Sequence, residues 1–184
     1  MLRGINDLGR FTIAATDGDL GRVGDVYFDD RSWDVRYLAV DAGDWLSGRR
    51  VLVSPAAVRT SDTTLHVALT KRQLEVEPAN PGRAGESADA HLKTATAVMG
   101  YAVQAEDGEI GHVADVLVDD RAWAIRYLVV VPENRWAGKR VLVSPAWLTH
   151  VAWDASKTLC CIATAIADGI GSGADSKAPG RGRG

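Results

Sequence analysis

The sequence predicts an all-β chain: two small antiparallel β-barrels in tandem, with minimal helix. Three observations carry this. A ten-residue run, RSWDVRYLAV at 31–40, returns as RAWAIRYLVV at 121–130. Short apolar or alternating runs are cut by turn chemistry at a spacing of roughly 10–15 residues, the rhythm of a small β-barrel or roll. A composition of 46% apolar and 24% charged residues is ordinary globular material, able to pack a core.

The repeat organises the chain. Setting Asp17 to Val58 against Asp107 to Leu148 gives 22 identities in 42 positions, where unrelated sequences of this composition would share roughly three. Duplication accounts for it, with copies at 1–77 and 92–168. Between them PANPGRAGESADAH (78–91) reads as a linker, and GIGSGADSKAPGRGRG (169–184) as a disordered tail. TLHVALT (64–70) meets TLCCIAT (158–164) only after an insertion of four residues, as a lengthened surface turn would require.

Within a copy, TDGD (16–19) and EDGE (106–109) each place a glycine where a tight hairpin needs positive φ. A strand follows at about 23–29, then the acidic turn DDRSW and the strongest strand, 35–41. GDWLSG turns into RRVLVS (49–54), Pro55 ends that ladder, and TSDTT leads to LHVAL at 65–69. TKRQL (70–74) offers one helical turn capped by Thr70. In the strand at 35–41 neither face is polar throughout, so both must be largely covered, one by the barrel interior and the other by the sister copy or a partner.

DGDLGRVGDVYFDDRSWDVRYLAVDAGDWLSGRRVLVSP (17–55) resembles a PRC-barrel domain, and DGEIGHVADVLVDDRAWAIRYLVVVPENRWAGKRVLVSP (107–145) resembles a second. The resemblance implies a small β-barrel that binds other macromolecules and is not an enzyme. Relatives include the cytoplasmic domain of the photosynthetic reaction centre H subunit and the C-terminal domain of a ribosome-maturation factor. No proton-pathway or ribosome-contact residue of theirs matches a numbered position here. LTKRQ (69–73) is similar to the capped turn that closes such tandem copies, whereas the second copy has IATAIADG and an irregular end is expected there.

Other chemistry finds little support. The excess of 24 acidic over 21 basic residues argues against nucleic acid as the partner. Asp25, Asp29, Asp30 and their equivalents Asp115, Asp119 and Asp120 lack calcium-loop spacing and read as caps of turn amides. His66, His91, His112 and His150 show no zinc spacing, and GIGSGA (169–174) precedes no useful helix. Ser54 and Ser144 share no equivalent histidine base. Adjacent Cys160 and Cys161 read as structural thiols in a reducing compartment. No catalytic set, metal or cofactor is expected. With no apolar run of membrane-spanning length, a cytoplasmic location is expected.

The reading that follows is a non-enzymatic interaction or scaffold module, its barrels packed on each other with approximate two-fold symmetry and a protein as partner. The alternatives are an RNA or ribosome-assembly factor, and a ligand binder or enzyme with a site between barrels. A homodimer and peripheral membrane contact stay open. The candidate interaction or inter-barrel surface is Trp33, Trp45, Tyr37 and Arg36 with Trp123, Trp136, Tyr127 and Arg126. Arg36 and Arg126, in otherwise apolar strands, are expected to pair with Asp25 or Asp115.

Overall fold

A computed structural model describes residues 1–42, 50–61, 64–76, 91–105, 108–132, 140–154 and 156–161. The linker is therefore described only at His91, and Trp45, Trp136, the IATAIADG end and the tail lie outside the described residues.

The first copy contributes β1 (Leu2–Gly4), α1 (Ile5–Leu8), β2 (Thr12–Ala15), β3 (Gly18–Asp29), β4 (Val35–Asp41), β5 (Arg50–Val53), β6 (Val58–Thr60), β7 (Thr64–Val67) and α2 (Lys71–Val76). The second contributes β8 (Leu92–Thr94), α3 (Ala95–Val98), β9 (Ala102–Ala105), β10 (Gly108–Asp119), β11 (Ala124–Pro132), β12 (Val141–Val143), β13 (Leu148–Ala152) and β14 (Thr158–Cys161). The class is all-β with little helix. The strand at 35–41 is found at those bounds as β4, whereas β3 begins earlier than 23, at Gly18. Both hairpin glycines have positive φ, +133° at Gly18 and +134° at Gly108.

Two details differ from a pair of antiparallel barrels. Each sheet of seven strands is mixed, in the orders β5-β4-β3-β2-β7-β6 and β12-β11-β10-β9-β14-β13, and the pairs β2–β7 and β9–β14 are parallel. Among the described residues neither path closes through a ladder between its end strands; β5 and β6 are joined instead by a 3-10 turn at Pro55–Ala57, and β12 and β13 by one at Pro145–Trp147. Proline supplies no N–H there, so the ladder stops at each Ser-Pro.

The seventh strand of each sheet comes from the other copy. β1 pairs antiparallel with β10 (Leu2 opposite Asp119, Gly4 opposite Leu117), and β8 pairs with β3 (Leu92 opposite Asp29, Thr94 opposite Tyr27). The strand is swapped within one chain. A single continuous apolar core spans both copies, from Leu8, Phe28 and Leu38 to Val98, Val116 and Leu128. In β4, Leu38 and Val40 point into this core, and Ala39 on the opposite face is also buried. Tyr37 departs from the expected full cover, at 38% exposed.

Short polar segments make the exchange specific. Asp25, 4% exposed, accepts from its neighbour Val26 N (2.8 Å), and across the copies from Thr96 N (3.2 Å) and Thr96 Oγ1 in the first turn of α3. Asp115 does the same for α1, accepting from Val116 N (2.8 Å) and Asn6 N (3.4 Å). Gly4 admits this approach, since an added Cβ would overlap the Asp115 carboxylate. Carboxylates buried this way are tolerated because donors from the sister copy replace water. In α2, Thr70 Oγ1 accepts from Gln73 N (3.3 Å) while Gln73 Oε1 accepts from Thr70 N (2.9 Å), a reciprocal cap of the turn expected at 70–74.

Candidate interaction site at the seam

The acidic turns build the seam. In the first, Asp29 Oδ1 accepts from Arg31 N (2.9 Å) and Ser32 N (3.3 Å), and the turn ends on Trp33 with φ +61°. In the second, Asp119 Oδ1 accepts from Arg121 N (3.1 Å), and Trp123 has φ +50°. A left-handed backbone costs about 1–2 kcal/mol for a side-chain-bearing residue. Four main-chain bonds hold it here: Trp33 N to Asp29 O and Trp123 N to Asp119 O, each 2.7 Å, then Val35 N to Trp123 O (2.7 Å) and Ile125 N to Trp33 O (2.8 Å). The last two cross between copies, beside the Asp34–Ala124 bridge. Trp33 also stacks on Phe28, ring centroids 5.0 Å apart.

The expected partners of the strand arginines are corrected. Arg36 Nη2 lies 3.2 Å from Asp29 Oδ2 and Arg126 Nε 3.7 Å from Asp119 Oδ2. Asp25 and Asp115 are already taken by the helix caps, and the residues at the end of β3 and β10 lie nearer the start of the neighbouring strand. The backbone amides of the turn, of Arg31 first and then the Arg36 guanidinium, hold Asp29 below the ordinary carboxylate range. The Arg121 amide foremost does so for Asp119.

The second aspartate of each turn reaches the exchanged strand. Asp120 Oδ1 is 2.6 Å from the Met1 amino group and its Oδ2 is 2.6 Å from Arg3 Nε. Its counterpart Asp30 is 2.8 Å from His91 Nδ1. Burial pushes the Asp120 carboxyl up, but the amino group and guanidinium outweigh it and hold it below its ordinary value.

Two open clefts flank the seam. One, of ≈ 810 Å³, lies between the 120–123 turn and Arg36, Pro55, Val58 and Thr60 of the first copy. The other, of ≈ 680 Å³, lies between the 30–33 turn and Arg126, Pro145, Leu148 and His150 of the second. Most lining positions correspond across the duplication, but Arg3 and Asp34 line only the first cleft and Thr149 and Trp153 only the second. Of the candidate residues, Trp33 and Trp123 are buried behind the clefts, and Arg36 and Arg126 stand on their walls. Tyr37 and Tyr127 line neither cleft. Trp45 and Trp136 lie outside the described residues.

Sequence reasoning missed Trp153, which lines the second cleft and packs against Phe28 (6.3 Å), Tyr101 (5.9 Å) and the Lys93 ammonium (5.3 Å). It also missed Trp147, 40% exposed at the head of β13. Both differ from the first copy, where Ala57 and Thr63 stand at the same offset, and that difference was their only signal. Among the described residues no cluster of His, Cys, Asp and Glu is arranged to hold a metal ion, and no helix is long and apolar enough to cross a membrane.

Compared with known families, residues 3–74 match the model of the PRC-barrel domain. No curated protein matches the chain.

Proposed function

With residues 3–74 a PRC-barrel domain and the second copy a repeat of its sequence, we propose that the chain is a non-enzymatic interaction module that docks a partner protein at the seam, in the cytoplasm. The observation that carries this is the pair of equivalent clefts, each assembled from a turn of one copy and a strand edge of the other. Such a surface exists only in the assembled pair and is held rigid from both sides by main-chain bonds. A binding face that needs no reorganisation loses little freedom on association.

The test is capture by the intact chain from native lysate treated with nuclease, beside a Trp45→Ala/Trp136→Ala variant verified as folded. A protein retained saturably by the wild type supports the module, and its loss from the variant extends the face to Trp45 and Trp136. Recovery of nuclease-sensitive RNA alone, or of nothing saturable, overturns the reading.

A further inference from the structure

We propose that the cleft of the second copy takes an extended acidic segment of the partner, added as a strand along the outer edge of β13. This rests on the interaction-module reading and names its site and ligand chemistry.

The edge is open. β13 is the last strand of its sheet, paired with β14 on one side, and among the described residues no strand pairs with it on the other. Leu148, Thr149, His150 and Val151 all line the cleft in succession. The pairing with β14 shifts register between Leu148 and His150, and with that irregularity included, a run of four consecutive lining residues rather than alternate ones places the cleft along the strand's edge. An edge of this kind presents unpaired amides and carbonyls to an incoming chain.

Charge selects the occupant. Arg31, Arg126, His91 and His150 border the cleft against one carboxylate, Asp30, which already lies 2.8 Å from His91. Arg126 is 52% exposed and only loosely held by Asp119 at 3.7 Å. Acidic side chains on an added strand meet Arg31 and Arg126, and its alternate apolar residues meet Ile125, Leu148 and Trp153. The cleft of the first copy suits this less. Its edge strand β6 has three residues where β13 has five, its Arg3 is engaged by Asp120, and it brings a second carboxylate, Asp34.

The test uses the full chain and three labelled peptides: one of alternating glutamate and valine, the same peptide N-methylated at every second amide, and one of alternating lysine and valine. Fluorescence anisotropy should show binding of the first alone, weakened roughly tenfold or more by Arg31→Glu/Arg126→Glu and little changed by Arg36→Glu/Arg121→Glu. Hydrogen exchange should slow in 148–151 and not in 58–61. Equal binding of the N-methylated peptide would reduce the site to a charged patch and overturn strand addition. Failure of the glutamate peptide to bind would overturn it too, as would self-association of the chain through β13 that blocks the peptide. A partner captured from lysate despite either failure leaves the module reading standing, so the two ideas fail separately.

Discussion

Asp25 and Asp115 occupy equivalent positions, and each accepts hydrogen bonds from the other copy's first helical turn. Asp25→Ala leaves Thr96 N and its hydroxyl without their acceptor beside a buried site, so a loss of about 1–3 kcal/mol is expected by urea unfolding. Asp115→Ala, whose cross-copy bond is longer at 3.4 Å, should cost less. At Trp33 the ring and the left-handed backbone can be separated. Trp33→Ala loses the Phe28 stack and keeps the strained φ, for about 3–5 kcal/mol, while Trp33→Gly should be about 1 kcal/mol milder. If glycine proves no milder than alanine in thermal melts, the φ of +61° carries no strain. Asp120 gives a pH signature. Its pKa is depressed in the folded chain, so its contribution is present above the unfolded carboxylate pKa of about 4 and is lost as pH falls through the lower folded value. Arg3→Leu should therefore destabilise at neutral pH, and its deficit relative to wild type should shrink through that acid window. A deficit constant from pH 7 to pH 2 would assign Arg3 to packing on Phe11, where its guanidinium lies 4.6 Å from the ring centroid.

At the scale of elements, the small segment Leu2–Leu8 does more than its length suggests. β1 completes the sister sheet, and Leu8 of α1 is fully buried in the shared core. Leu8→Ala is expected to cost about 2–5 kcal/mol, and hydrogen exchange should rise in 117–119 of β10 as well as in the first copy. The legibility of these elements followed their physics. β4 could be bounded from sequence because VRYLAV is long, β-branched and flanked by turn residues. β6, with only Val58–Thr60, is too short to show a period, and the parallel pairings and strand exchange leave no local trace at all. LRG satisfies the same alternation beside its own β3 or beside β10, so only the assembled core decides between them. The seam residues were legible because duplication marked Trp33 with Trp123 and Arg36 with Arg126, whereas Trp147 and Trp153 exist in one copy only.

For the whole molecule, exchange removes the independence that a tandem arrangement would otherwise allow. Each sheet contains a strand of the other copy, so one cooperative transition is expected in calorimetry, with equal calorimetric and van't Hoff enthalpies. Two resolved transitions would show that the copies unfold separately. The joint also depends on what connects it. The segment between Val76 and His91 keeps the sister copy at high effective concentration, so deleting 80–87 should double the mass read by light scattering, through exchange between chains, with circular dichroism unchanged.

The exchanged strand also sets an order of events at birth. The first copy leaves the ribosome with the Tyr27–Asp29 edge of β3 unpaired and the Asp25 carboxylate awaiting the Thr96 donors. At about 5–20 residues per second, some seconds pass before the strand that covers them is made. During that interval the nascent first copy offers an open sheet edge to any chaperone or neighbouring chain, and its maturation ends only when its twin arrives.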